Sequence, residues 1–322
     1  MIISASYKTD IPTFYGEWFM NRLRAGSCKM INPYSLQVYT IDLTRQHVDG
    51  FVFWTKNIGP FLKYLPEMQE RGYPFIIQHT INGYPRELEF RVINYNRTVE
   101  SMKVLADTYG PHVAVWRYDP IVISSLTPVE WHLRNFEALA RSLAGVTDEV
   151  VISFAQIYKK TKRNMDWAAN EYGFDWKEHE TTSLENMRHL VAELAHIAIS
   201  YGAQLKVCSQ KALLIPGVAA EARCVDAERL ERVSGNSIVA KTKLKGNRKE
   251  CGCFASKDIG EYDTCPHGCV YCYAVQNRDL ALHRFKKHNP MSEFLFPPQE
   301  YVSEENKKMN MVQIISLSEK GN

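Results

Sequence analysis

At 322 residues, 45% hydrophobic and 23% charged, the chain has the make-up of an ordinary globular protein, with room for one large α/β domain or two modest ones. A formal net charge of +3 is too small to imply a polyanionic partner by itself. Residues 1–20 show no basic start followed by an apolar block, and no apolar run approaches the roughly 20 residues of a membrane span, so a cytoplasmic protein with no membrane partner is expected.

Short β-branched or aromatic runs alternate with longer amphipathic ones. The spacing predicts strands at Ile2–Ser6, Phe51–Trp54, Phe75–Thr80, Val113–Arg117, Val150–Phe154 and Leu205–Cys208. Helices are predicted at Phe14–Arg24, Pro60–Arg71, Asn96–Tyr109, Pro128–Leu143 and Ser183–Ser200. In the last of these, Met187, Leu190, Val191, Leu194, Ile197 and Ala198 form one apolar stripe. Six strands, each followed by a crossover, give a βα-repeat with a parallel sheet; an open doubly wound sheet and a barrel both fit. In either, ligands bind at the C-terminal ends of the strands.

Polar residues cluster at those ends: Tyr7-Lys8-Thr9-Asp10, Thr55-Lys56-Asn57, His79-Thr80-Ile81-Asn82 and Arg117-Tyr118-Asp119-Pro120. They serve either a ligand or the caps and turns of the strands. Trp54, Trp116 and Tyr118 belong to a pocket or to the core.

Past about Ser209 the periodicity fades. Residues 210–264 hold a basic stretch at 241–249, which fits a solvated loop or a phosphate-contacting patch. A helix is predicted at Val275–Lys287, then a polar tail. Two parts result: a barrel core over 1–209, and a C-terminal segment, 210–322, packed on its mouth.

Of the eight cysteines, five fall within residues 251–272, which in a reducing compartment points to metal ligation before disulfides. Cys265, Cys269 and Cys272 are spaced C-x3-C-x2-C, so three thiolates can hold three corners of a [4Fe-4S] cluster and leave one iron open. A zinc knuckle completed by His267 or by Cys251 and Cys253 is the alternative, and unliganded thiols a third. Cys251-Gly252-Cys253 can donate two ligands, with Cys208 and Cys224 completing a second, fully capped [4Fe-4S] cluster; alternatively Cys208 and Cys224 are buried apolar thiols. Cys28, placed in a loop after the first helix, has no partner in this scheme.

The C-x3-C-x2-C run, with Tyr271 before its third cysteine, resembles the signature of the radical S-adenosylmethionine superfamily. Over most of residues 1–275 the chain is also similar to bacterial domain-of-unknown-function family 1848, in SASYKTDIPTFYGEWF (4–19), FVFWTKN (51–57), WRYDPI (116–121) and CGCFASKDIGEYDTCPHGCVYCYA (251–274). More distantly it resembles the spore photoproduct lyase family. There the cluster motif comes first, then a strand ending in Thr-Asp or Ser-Asp, one ending in Thr-Lys-Ser, and one with a Ser or Thr before an acidic-Pro segment. Here Thr9-Asp10, Thr55-Lys56-Asn57 and Thr80 keep that order while the cysteines come last. Asn57 stands where Ser is the pattern, and Phe90, not Pro, follows Glu89. These resemblances imply a partial (β/α)6 TIM-like barrel, circularly permuted so that the cluster-bearing strand and loop moved to the C-terminus.

They also imply a radical enzyme. The open iron would bind S-adenosylmethionine, and its reductive cleavage would give a 5′-deoxyadenosyl radical that takes hydrogen from an unknown substrate. Thr9, Asp10, Lys56 and Thr80 would contact the methionine carboxylate and amine, and the Tyr271 backbone the adenine. Arg117 and Asp119 would meet the ribose or the substrate. The implied partners are an external one-electron donor such as flavodoxin or ferredoxin, and a substrate that is a small molecule or nucleotide, or else a nucleic acid. The rival functions are a non-enzymatic iron–sulfur electron carrier or redox sensor, and a nucleic-acid repair or modification enzyme.

Overall fold

A computed structural model of the chain describes residues 1–32, 35–176, 182–246, 248 and 250–297. Lys249 of the basic stretch and the tail from residue 298 lie outside the described residues. In chain order the elements begin β1 (Ile2–Ala5), α1 (Ile11–Phe14), α2 (Gly16–Ala25), β2 (Ser27–Ile31), β3 (Val38–Asp42), β4 (Gly50–Thr55), α3 (Leu65–Glu70), β5 (Phe75–Thr80) and α4 (Tyr95–Tyr109). They continue β6 (Ala114–Ile121), α5 (Val129–Ser142), β7 (Glu149–Phe154), α6 (Lys159–Tyr172), α7 (Leu184–Ser200), β8 (Gln204–Val207), β9 (Ala220–Glu221), α8 (Ala227–Ser234), β10 (Ser256–Asp258) and α9 (Arg278–Lys286).

The architecture is α/β. Eight parallel strands form one sheet in the order β10-β1-β4-β5-β6-β7-β8-β9, and β2 with β3 makes a separate antiparallel hairpin. All six predicted strands are present. The two outermost, β9 and β10, come from the C-terminal segment, so that segment is built into the sheet.

Both sheet faces are buried, which is why the strands are apolar without clean alternation. Successive side chains nevertheless point to opposite sides. Ile3, Phe51, Phe53, Ile77, Trp116 and Ile152 pack in the main core with the helices. There Phe19 of α2 stands edge-on to Phe51, Phe53 and Phe61 at 5.1–5.6 Å, contacts that each add about 0.5–1.5 kcal/mol beyond their buried area. Ile2, Val52, Ile76, Val115 and Val151 face the other way into a smaller core with Leu230 and Val225.

The helix α8 covers the N-terminal ends of the strands on that second face. A Cβ on Gly50, the first residue of β4, would lie 2.9 Å from Leu230 Cδ2. Arg229 donates to Asp148, Glu149 and the His112 carbonyl at 2.8–2.9 Å. Toward the C-terminal ends the same face turns polar: Ser4, Trp54, Gln78, Arg117 and Ser153 follow the apolar layer two residues on.

Two predicted helices divide. Asp10 caps α1 through Thr13 N at 2.9 Å, and Tyr15 separates α1 from α2. Residues 59–64 form a 3-10 turn ahead of α3; Pro60 and Pro66 each sit in a first turn, where a missing N–H costs nothing. Cys28 lies on β2, not in a loop, and is buried in the main core with its thiol pushed up to about 12 by burial.

His79 on β5 is fully buried, with neither ring nitrogen hydrogen-bonded among the described residues, and burial lowers its pKa to about 4. Between that value and the ordinary 6.5 the unfolded chain binds the proton and the folded one does not. Stability therefore falls as pH drops through this window. Urea unfolding at pH 7 and pH 5 is expected to differ by about 2 kcal/mol from this residue, and His79→Leu to remove that part of the difference. An unchanged pH dependence in His79→Leu would show that the imidazole does not stay neutral.

Candidate functional site

The cysteine motif occupies the loop after β10, and the loop is anchored at several points. Asp258 accepts from Ser4 Oγ at 2.8 Å, Ser6 Oγ at 2.7 Å and Tyr7 N at 3.0 Å, which ties the end of β10 to the turn after β1. Gly260 approaches that turn so closely that a Cβ would lie 2.0 Å from Ser6 Oγ. Gly260→Ala is expected to cost about 1–3 kcal/mol in urea unfolding, because Ser6 must leave Asp258 to make room. A neutral substitution would mean that the turn gives way freely.

Farther along, Val270 N donates to Leu88 O at 3.1 Å and Arg91 N to His267 O at 2.9 Å, with Glu89 and Cys269 paired as an antiparallel bridge. Gly268 sits at φ +75°, left-handed backbone that favours glycine, between Cys265 and Cys269. Tyr84, Leu88, Met165 of α6 and Phe174 pack behind Cys269, Val270 and Tyr271.

Cys265, Cys269 and Cys272 line a cavity of about 540 Å³ at the C-terminal ends of the strands. The same wall contains Cys208, Cys224, Cys251 and Cys253, so seven of the eight cysteines share it. Burial pushes the three motif thiols above their ordinary range, so metal loading has to displace protons. Among the described residues, no three His, Cys, Asp or Glu side chains stand at the spacing of a single bound ion. His267 Nε2 meets Asp10 Oδ2 at 2.7 Å, and its Nδ1 is buried with no hydrogen-bond partner among the described residues.

Thr9, Asp10, Lys56, Thr80, Arg117 and Tyr271 all reach this cavity wall. The Thr9 hydroxyl is buried without a hydrogen-bond partner among the described residues. Asp10 is fully engaged: Oδ1 accepts from Thr13 N, and Oδ2 from Lys56 N at 2.8 Å and from His267. Burial opposes its charge, yet the His267 contact and the backbone donors hold it below the usual carboxylate range.

Lys56 Nζ pairs with Glu89 Oε1 at 2.7 Å, and Tyr271 OH donates to the same oxygen. Burial works against the lysine charge, but Glu89 and Cys269 together keep its pKa raised. Glu89 was visible in the sequence only as an acidic residue of the segment after Thr80; nothing local signals the ion pair. Asn57 accepts from Gly59 N at 3.1 Å as a turn residue.

Arg117 stands apart from the motif. Its Nη1 donates to Cys224 Sγ at 2.9 Å, its Nη2 meets Asp119, and its guanidinium lies 5.0 Å from the Trp54 ring centroid. Asp119 also accepts from Ser153 Oγ. Trp54 therefore lines the cavity, whereas Trp116 and Tyr118 belong to the main core. Sequence reasoning missed Ser153 and Lys160, which lies 5.3 Å from the Tyr262 ring; Arg248, from the basic stretch, lies 5.2 Å from the Tyr273 ring on the same outer wall.

The protein family described as "Domain of unknown function (DUF1848)" matches residues 2–274. No curated protein matches the chain.

Proposed function

The chain belongs to the DUF1848 family, a domain of unknown function, and we propose that it is a radical S-adenosylmethionine enzyme whose [4Fe-4S] cluster is held by Cys265, Cys269 and Cys272. The observation that carries this function is the convergence of the motif thiols, Lys56 and the unpartnered Thr9 hydroxyl on one cavity at the C-terminal ends of a parallel sheet. Three thiols, a cation and an unused hydroxyl are the donor set that an open-iron cluster and an amino-acid-bearing cofactor require.

When bound, the cluster and S-adenosylmethionine supply a 5′-deoxyadenosyl radical that takes hydrogen from the substrate. Lys56 holds the methionine carboxylate, and Thr9 and Thr80 offer it hydroxyls. Asp10 works one step back: with its oxygens already taken, it fixes His267 and the Lys56 backbone and so sets the loop. Tyr271 joins the loop to the same ion pair through its hydroxyl, leaving its backbone for the adenine.

The finer fold assignment is a partial (β/α)6 TIM-like barrel, circularly permuted. Its support is the sheet order, in which β10, carrying the cysteine loop, stands parallel to β1 on the side away from β4. That is the position of a first strand. The electron comes from an external donor such as flavodoxin or ferredoxin. A small molecule or nucleotide is the substrate class that suits a mouth lined by Lys160, Tyr262 and Arg248. Among the described residues no helix is long and apolar enough to cross a membrane.

The test is anaerobic reconstitution with iron and sulfide, reduction with dithionite and addition of S-adenosylmethionine. Formation of 5′-deoxyadenosine is the expected result. Its absence from protein that carries iron overturns radical chemistry, and an iron content near zero overturns the cluster itself.

A further inference from the structure

The four cysteines outside the motif come from separate stretches and meet one another. Cys208 follows β8, Cys224 follows β9, and Cys251 and Cys253 precede β10. Cys224 Sγ lies 3.5 Å from Cys208 Sγ; the Cys224 thiol also contacts that of Cys253, which in turn contacts Cys251. Gly252 lets this pair come close to Glu221, whose carboxyl carbon would lie 3.0 Å from a Cβ there.

Buried thiols that merely fill a core have no need of each other or of a charge. Here Arg117, itself buried, points a guanidinium N–H at Cys224 Sγ, and Val225 N donates to Cys253 Sγ at 3.3 Å. The only acidic side chain paired with Arg117 among the described residues is Asp119, which lies on the same strand. A cation and a backbone donor aimed at sulfur are the groups that stabilise thiolates bound to metal, and they set the potential of a cluster held there.

We infer that Cys208, Cys224, Cys251 and Cys253 form a second metal site, a four-thiolate seat for a fully capped [4Fe-4S] cluster, with Arg117 as its electrostatic positioning residue. The contacts run in a row from 208 to 224 to 253 to 251, and no three of these donors converge as on a single ion. A cubane spreads its four thiolates over four irons, so such a row has only to open toward the cavity it already lines. Loading exchanges each thiol proton, lost to solvent, for an iron–thiolate bond; iron and sulfide come from outside. The site stands independently of the radical chemistry proposed above.

The experiment uses the full chain with Cys265→Ala, Cys269→Ala and Cys272→Ala together, reconstituted anaerobically with iron and sulfide. About four irons and about four sulfides per chain are expected, falling to background when Cys224→Ala is added. Arg117→Gln in the triple variant is expected to keep the iron and shift the midpoint potential to a more negative value. Should the triple variant lose its native circular dichroism, Cys251→Ser with Cys253→Ser in the otherwise unaltered chain is the second measurement. There iron is expected to fall from about eight to about four. One zinc per chain at these cysteines, a Cys208–Cys224 disulfide, a folded triple variant without iron, or an iron count unchanged by the paired serines would overturn the site. An unchanged potential in Arg117→Gln would overturn the part given to Arg117. Because iron and sulfide are counted, in the first measurement on a chain without the motif, these outcomes do not depend on whether the intact protein cleaves S-adenosylmethionine.

Discussion

Cys269→Ala is expected to abolish 5′-deoxyadenosine formation by the reconstituted protein and to remove about four irons per chain. Cys269 is the middle cysteine of the motif, and the main anchors of the loop do not use its sulfur, which contacts Tyr271. The Val270 and Arg91 N–H bonds, the Glu89 pairing and the Asp10–His267 contact are all made by other groups. Truncating the thiol therefore removes the proposed ligand while the loop keeps these anchors. Thermal unfolding of the metal-free forms is expected to differ little between variant and parent. A variant that still forms 5′-deoxyadenosine at the parental rate would show that the motif does not hold the active cluster. A variant that melts many degrees lower would show that the thiol itself supports the fold.

The six predicted strands were legible because most of them are buried on both faces and so read as dense apolar runs, while β8 alternates buried Leu205 and Val207 with more exposed neighbours. The outer strands were not. Ala220–Glu221 and Ser256–Asp258 are short and polar, and their strand character comes from the register of β8 and β1 beside them. The helix α6 escaped notice because it buries only Thr161, Met165 and Ala168 on an otherwise polar surface. The helix α8 is eight residues long, and its principal buried side chain besides Leu230 is an arginine.

The site divides in the same way. The spacing of Cys265, Cys269 and Cys272 is local, so the motif could be named from sequence, whereas Cys208 and Cys224 were joined to Cys251 and Cys253 only as the remaining candidates. Asp10 and His267 are separated by 257 positions, and their contact follows from how one loop docks on another. The same holds for Arg117, whose place on its strand was legible but whose sulfur partner was not. The ordered polar residues at strand ends lie at the end of the sheet where the cavity opens. They did not tell a hydroxyl left without a hydrogen-bond partner among the described residues, such as that of Thr9, from a carboxylate committed to capping such as Asp10.

Lys56→Met tests the ion pair on which the two halves of the cavity meet. Lys56 and Glu89 are 13% and 5% exposed, so removing the ammonium strands a carboxylate whose remaining hydrogen-bond partner among the described residues is Tyr271 OH. Breaking a buried pair from one side costs about 3–5 kcal/mol, and that loss is expected in urea unfolding at neutral pH. Because the folded pKa of Lys56 is raised, the pair's contribution is fully present below the lysine's ordinary value and is lost only as pH climbs above it. Adding Glu89→Gln removes the stranded charge and keeps an acceptor for Tyr271, so the double variant is expected to regain most of the stability. A single variant as stable as the parent would mean that Glu89 takes up a proton or finds water without cost. The double variant also separates two roles of Lys56. It is expected to fold and to carry the full complement of iron, yet to form almost no 5′-deoxyadenosine, because the carboxylate of S-adenosylmethionine has lost its cation. Parental cleavage by the double variant would confine Lys56 to holding the loop.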